Sequence, residues 1–363
     1  MNIFIRTDGS NQIGTGHVMR CLVLASELCN VNVNVNVSFI CRSLTGNLVD
    51  YIEDNGFKVY KLPDPWHKNK KDKDCSHLEW LRQNWTTDAK QTMEVLTKEP
   101  KVDWLILDHY SFDQNWESAV QTCVDKLMVI DDLANRLHDC HLLLDQNLYR
   151  NRRGRYGHKI SDSVITLLGP KYLLLRSEFK NKELNRKRTG SVERILVSFG
   201  GADPTNETLK VLRAINQINR TEISIDVVLG HSSQHYQMVR DYCQTMKQVT
   251  LHFQIDYIAK LMSKADLAIG AGGSTTWERC YLCLPTITIE TADNQSEILT
   301  YLDELGAIRH LGVNQMVSEE KIVDTLNNII SCPIVIQKMS ENCKIIMKEY
   351  EHYSVVNQLM KGV

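Results

Sequence analysis

Short apolar runs recur along the chain. Each ends in a polar or glycine-rich turn and is followed by a stretch with helical spacing. The first, Asn2-Ile3-Phe4-Ile5, leads through a polar connection at 6–11 into apolar residues at 18, 19, 22, 23 and 25, a strand–turn–helix pattern. Val31 to Val37 alternates strictly with asparagine and runs into Ser38-Phe39-Ile40-Cys41, which predicts a strand across that whole stretch. A helix over about 46–55 and a strand over 57–62 follow. The segment 63–76, rich in lysine and aspartate, reads as a solvated loop. An amphipathic helix over 77–98 leads into a buried strand over 102–108, and the apolar-then-acidic pattern returns at 127–132 and 142–147. The basic, apolar-poor stretch 180–193 reads as a linker. A second series then begins, with strands near 194–199, 223–229, 250–253, 267–269 and 284–289 and a mostly helical close over 321–363. Strands alternating with helices predict an α/β chain of two Rossmann-like domains facing across a cleft. Their bounds are expected at 1–180 and 190–345, with a C-terminal helix over 346–363 that packs back on the first domain.

Two places in this pattern carry chemistry. Gly14-Thr15-Gly16-His17 opens the first helix, where free backbone amides attract anions and glycine lets a ligand approach closely. An imidazole in that first turn is placed to act as a general base toward a phosphorylated substrate. Acidic and polar residues gather at the ends of the following strands: Asp108-His109-Tyr110, Asp131-Asp132 and Asp145-Gln146-Asn147. Ligands of open parallel sheets bind at the carboxyl ends of strands, so these clusters point to the edge that holds His17. In the second series Gly200-Gly201 follows one strand, and Gly270-Ala271-Gly272-Gly273-Ser274-Thr275 opens a helix after another. Glycines and hydroxyls there suit a diphosphate. Glu278, four residues after Ser274, stands one turn deeper on the same face, where it could take both hydroxyls of a ribose.

Composition narrows the classes. The chain has 363 residues, is 43% hydrophobic and 24% charged, and carries a net charge of −2. That balance gives no reason to expect nucleic acid or an anionic membrane as partner, and no apolar run approaches a membrane span. Eleven scattered cysteines, with a strand expected from residue 2, suit a reduced, cytoplasmic setting. Cys280 and Cys283 have no second pair, and His138-Asp139-Cys140-His141 is equally weak as a zinc site.

The second half, through Gly270–Ser274, Glu278, Leu284-Pro285 and Asp293-Asn294-Gln295, resembles the nucleotide-binding domain of glycosyltransferase-B enzymes. It is similar there to the lipid-linked N-acetylglucosaminyl transferase of peptidoglycan synthesis. The first half resembles the nucleotide-sugar hydrolases of pseudaminic acid biosynthesis. The residues that carry this are Arg6-Thr7-Asp8, Ile13-Gly14-Thr15-Gly16-His17-Val18-Met19-Arg20-Cys21 and Ile130-Asp131-Asp132-Leu133-Ala134. The resemblance spans essentially the whole chain. It implies a glycosyltransferase-B-type fold and removal of UDP from UDP-2,4-diacetamido-2,4,6-trideoxy-β-L-altropyranose by water attack at the anomeric carbon. His17 is the implied catalytic residue, with no metal or other cofactor required. Substrate contacts are expected on the sugar side from Asp8, Gly14, Gly16, Arg20, Tyr110, Asp131 and Asn147. On the UDP side they are expected from Gly201, Gly272, Gly273, Ser274, Thr275, Glu278, Asn294 and Gln295, with the backbone near Ile255 reading uracil by analogy with the family. Three alternatives stand beside this reading. Asp131 and Asp132 could hold Mg²⁺ for attack at phosphorus, the chain could be a UDP-sugar transferase of the same fold, or it could bind nucleotide sugars without catalysis.

Overall fold

A computed structural model describes residues 1–64, 76–184, 186–230 and 233–361. The chain divides into two units: Met1–Leu174 together with Glu351–Val363, and Leu175–Tyr350.

Unit 1 is built on seven parallel strands: β1 (Asn2–Thr7), β2 (Asn36–Arg42), β3 (Lys58–Leu62), β4 (Trp104–Asp108), β5 (Lys126–Ile130), β6 (Leu142–Asp145) and β7 (Ile165–Leu168). Their order is β3-β2-β1-β4-β5-β6-β7. The central strands are apolar through their middles, with polar residues only toward their ends, because both faces are covered. Ile3, Ile5, Phe39, Ile106, Met128 and Leu144 face one core, while Phe4, Ile40, Leu105, Leu127, Val129 and Leu143 face the other. Helix α1 (Gly16–Val31) packs on the first face, where the C-terminal helix α13 (Ser354–Lys361) joins it through Val355, Val356 and Leu359. The strand order reverses between β1 and β4, where Thr7 pairs in register with Asp108.

Unit 2 repeats the plan with β8 (Arg194–Ser198), β9 (Ser224–Leu229), β10 (Val249–Phe253), β11 (Leu267–Gly270), β12 (Thr286–Glu290) and β13 (Ile308–Val313). These six strands are also parallel, in the order β10-β9-β8-β11-β12-β13. The reversal falls between β8 and β11, where Ser198 pairs with Gly270. Among the described residues no helix is long and apolar enough to cross a membrane.

Several expectations need correction. The Asn/Val repeat is not a strand throughout: α1 continues to Val31, and β2 begins only at Asn36, opposite Asn2. Residues before Asn36 have no β1 residue to pair with, and Val33 is 93% exposed. The helix expected over 77–98 is two, α3 (His77–Gln83) and α4 (Trp85–Leu96), separated at Asn84. The stretch 180–193 lies within unit 2. There Arg188 is buried and donates to the carbonyls of Met262, Ala265, Leu282 and Cys283. Most of the lysine-rich loop, residues 65–75, lies outside the described residues.

Candidate active site

The chain leaving β1 turns back on itself, with the Gly14 amide donating to the Ser10 carbonyl at 2.8 Å. Gly14 has φ of +84°, a left-handed conformation that glycine adopts without strain. The turn feeds α1, whose second residue is His17. A Cβ on Gly16 would meet nothing within 4 Å, so the helix entry faces open space.

His17 Nδ1 lies 2.5 Å from Asp108 Oδ1, at the end of β4. Arg20, on the next turn of α1, donates to the same carboxylate through Nε at 2.6 Å and Nη2 at 2.7 Å. Its Nη1 donates to Asp132 Oδ2 at 3.0 Å, and the Tyr110 hydroxyl donates to Asp132 Oδ1 at 2.7 Å. The Tyr110 ring stands edge-on to His17, with centroids 4.4 Å apart.

Burial alone would raise the Asp108 carboxyl, but Arg20 and His17 outweigh it and hold it far below the usual range. An ionised Asp108 can only accept, so the network assigns the proton of a neutral His17 to Nδ1 and the lone pair to Nε2. The 3.3 Å approach of Arg20 Nη2 to Nδ1 then sets two donors side by side, both satisfied by Asp108. Nε2 has no partner among the described residues and is not among the unpaired atoms sealed from solvent. The result is a base whose tautomer and ring orientation are set by a carboxylate.

The structure places Asp8 and Asp131 elsewhere than the expected substrate contacts: both are sealed, with no exposed surface. Arg6 donates to the two Asp8 oxygens at 2.6 and 2.9 Å, the Arg42 amide adds a bond of 2.7 Å, and His109 Nε2 lies 3.4 Å away. Arg6 also forks onto Asp88. Asp8 therefore ties β1, β2 and β4 together beneath the site. Asp131 accepts from the Ala134 amide at 2.8 Å and the Tyr156 hydroxyl at 3.0 Å, and pairs with Arg136 at 2.9 Å. Asp131 and Asp132 thus serve separate networks. Among the described residues no group of three or more His, Cys, Asp or Glu side chains is arranged to hold a metal ion. Asn147 is buried, with its amide on Asp145 Oδ1 at 3.1 Å. His138 sits between Glu117 and Asp131. Cys280 faces Cys343, sulfur to sulfur, at 3.8 Å.

In unit 2 the glycines at the strand ends have distinct reasons. A Cβ on Gly270 would fall 2.2 Å from the Ser198 carbonyl oxygen, and one on Gly272 would overlap Leu299. Gly201 lies against Gly230, where a Cβ on Gly230 would come within 2.5 Å of the Gly201 Cα. Gly273 faces open space. Ser274 precedes α9 (Thr275–Tyr281) without a side-chain capping bond. The amides of Gly273, Ser274 and Thr275 have no acceptor among the described residues. Gln295 Oε1 accepts from the Gly272 amide at 3.2 Å and the Thr291 amide at 3.0 Å, so Gln295 braces the turn, while Asn294 is exposed. Ile255, half-buried, lies in the loop between β10 and helix α8 (Ile258–Lys264).

Glu278 is buried, and both of its oxygens accept from Arg176, at 2.6 Å from Nε and 2.9 Å from Nη2. The sequence reading missed this pairing across 102 positions. It likewise missed the bond between His17 and Asp108, although it had placed both residues at the same sheet edge.

No protein-family model matches the chain. It is 28% identical over 373 residues to an uncharacterized protein of Methanocaldococcus jannaschii, covering 96% of this chain and 70% of that one. It is 26% identical over 308 residues to the UDP-2,4-diacetamido-2,4,6-trideoxy-beta-L-altropyranose hydrolase of Campylobacter jejuni, covering 84% of this chain and 97% of that one. Among solved structures, Acinetobacter baumannii MurG superposes with a TM-score of 0.64 at 14% identity over 99% of both chains. UDP-GlcNAc 2-epimerase from Neisseria meningitidis superposes at 0.63 and 14%, over 99% of this chain and 100% of that one. Likeness at this level defines architecture: the chain has the glycosyltransferase-B-type fold of two Rossmann-like α/β units.

Proposed function

We propose that the chain is a nucleotide-sugar hydrolase that releases UDP from UDP-2,4-diacetamido-2,4,6-trideoxy-β-L-altropyranose by water attack at the anomeric carbon. The observation that carries this reading is His17, held at Nδ1 by Asp108 with Nε2 unpaired. Water on Nε2 gives up a proton as its oxygen bonds to the anomeric carbon, the bond from that carbon to the phosphate oxygen breaks, and UDP departs with the electron pair. The proton stays on an imidazolium that faces the Asp108 carboxylate. A positioned base of this kind contributes about 10²–10⁴ in rate. Unit 2 receives UDP: the amides of Gly273, Ser274 and Thr275 meet the diphosphate, Glu278 accepts from the ribose, and the loop at Ile255 reads the base. Each well-placed donor on the departing phosphate is worth on the order of 3 kcal/mol. The similarity to the Campylobacter jejuni hydrolase over 84% of this chain supports the substrate class.

The test is turnover of a panel of UDP-sugars in ¹⁸O-labelled water without an acceptor. The expected outcome is label in the free sugar and none in UDP. Label in UDP would move the attack to phosphorus. UDP release only when a sugar acceptor is supplied would make the chain a transferase, and no release at all would make it a binding protein.

A further inference from the structure

Behind the Asp132 side of the His17 site lies a sealed chain of polar groups. Asp145, the last residue of β6, is 2% exposed. Its Oδ1 accepts from the Asn147 amide at 3.1 Å, and its Oδ2 lies 3.1 Å from the Tyr156 hydroxyl. That hydroxyl also lies 3.0 Å from Asp131 Oδ2 and 3.2 Å from the Asp131 carbonyl oxygen. Three oxygens thus face a phenol that has one proton to give. Asp131 is the ionised partner: burial opposes this, but His138 and Arg136 outweigh it. A proton on Asp145 Oδ2 completes the set, with Asp145 donating to Tyr156 and Tyr156 donating to Asp131. Burial, and Asp132 after it, favour the same state and push the Asp145 carboxyl up from 3.8 to about 8. The titratable side chains that face Asp145 are Asp131 and Asp132 just after β5, Tyr149, and Arg155 and Tyr156 of the 3₁₀ turn Gly154–Tyr156. On the β7 side Asp145 pairs with Leu168, and its carbonyl accepts from the Gly169 amide. Arg155 stands between two of the acids. Its Nη2 donates to the Asp132 carbonyl at 3.0 Å, and its Nε lies 3.7 Å from Asp145 Oδ2.

We propose that Asp145 is a positioning residue whose neutral form keeps the His17 site assembled, so that ionising this one acid disables the base. The proposal rests on the reading of His17 as the base. While Asp145 is neutral, Arg155 and the Tyr149 hydroxyl, at 3.0 and 2.8 Å, hold the backbone carbonyl of Asp132. The Asp132 carboxylate in turn holds Arg20 Nη1 and the Tyr110 hydroxyl. Arg20 forks onto Asp108, which orients His17. An ionised Asp145 leaves two carboxylates competing for the single Tyr156 proton. It also repels the Asp132 carboxylate and draws Arg155 toward itself. Arg155 then lets go of the Asp132 carbonyl, and Asp132 loosens its hold on Arg20 and Tyr110. His17 loses its setting although nothing that touches it has changed charge.

The experiment measures UDP release against pH for the full chain, wild type and D145N, with each rate divided by the same protein's rate at about pH 7. The ring signals of His17, assigned by their loss in H17N, are followed by NMR over the same range. Asparagine keeps a neutral donor toward Tyr156 at every pH. The wild-type rate should fall about tenfold between about pH 7 and about pH 9, while D145N should hold within about twofold. The His17 signals should show a step at about pH 8 in wild type, and D145N should lack it. The nearest rival is His138: burial would lower it, but Asp131 and Glu117 raise it to about 9. An alkaline fall caused by His138 would persist in D145N. A D145N rate that falls as wild type does overturns the inference, whatever its absolute value, and so does a wild-type rate that stays flat. A His17 step that depends on Asp145, in a protein that releases no UDP at any pH, supports the inference and refutes the hydrolase reading instead. Should D145N not fold, R155M removes the cation that favours the ionised acid and should carry the alkaline fall to higher pH. A fall left in place by R155M overturns the inference.

Discussion

Replacing Asp108 with asparagine keeps the side chain's shape and reverses its role. The amide would present a donor or a weaker acceptor to His17 Nδ1, so the ring loses the tautomer that frees Nε2. Turnover of Asp108→Asn should fall by about 10³–10⁴, and circular dichroism should show a folded protein. A variant with turnover near wild type would separate Asp108 from the chemistry. His17→Asn should lose about 10²–10⁴ in turnover while binding UDP as wild type does, and near-normal turnover would refute the base. Asp145 makes a different prediction. The Tyr156 hydroxyl has one proton but lies 3.0 Å from Asp131 Oδ2 and 3.1 Å from Asp145 Oδ2. A protonated Asp145 resolves this by donating to Tyr156, which then donates to Asp131. Burial first, and Asp132 second, raise the Asp145 carboxyl from 3.8 to about 8. A carboxyl raised on folding contributes stability that is full below its unfolded value and is lost as pH rises through its folded value. Asp145→Asn keeps the neutral arrangement, so its stability relative to wild type should climb between about pH 4 and pH 8, read by thermal denaturation. A flat difference would show that Asp145 is ionised throughout. His17 was legible because an imidazole after Gly-x-Gly is unusual. Its partner was not, because the bond joins residues 91 positions apart and strand-end carboxylates more often cap helices.

At the level of elements, periodicity located most strands and helices because the sheets are apolar on both faces and each run ends in a turn. It failed where pairing decided the outcome. Val31–Val37 alternates as a strand should, yet β1 offers no partner before Asn2, so α1 keeps the first of these residues. Edge strands β7 and β13 were not foreseen, since an edge strand such as β7, where Ile165 is 55% exposed, needs less apolar sequence. The glycine turn after β11 was legible as a motif, but only the structure separates its glycines. Gly270→Ala pushes a methyl group against the Ser198 carbonyl and should cost about 1–3 kcal/mol in urea unfolding. Gly273→Ala meets open space, so stability should hold while UDP affinity falls. Loss of stability at Gly273 with unchanged affinity would remove the diphosphate from this turn.

On the scale of the whole molecule, the chain passes from unit 1 to unit 2 at 174/175 and returns at 350/351. Val355, Val356 and Leu359 of α13 are each buried in the unit 1 core, at roughly 1.5–3 kcal/mol apiece as an upper figure. Their sum is comparable to the stability of an ordinary domain, about 5–15 kcal/mol. Ending the chain at Tyr350 should therefore lower the unfolding transition of unit 1 and spare that of unit 2, followed by calorimetry. A single unshifted transition would show that α13 contributes little. The return also sets an order of events during synthesis. Unit 2 is continuous, so all of its strands and helices are made before α13 is. Unit 1, begun first, must wait for α13, with the α13-facing side of α1 bare while the whole of unit 2 is made. A ribosome stalled within unit 2 would therefore leave the older half still open, and that half would be the one that nascent-chain chaperones bind.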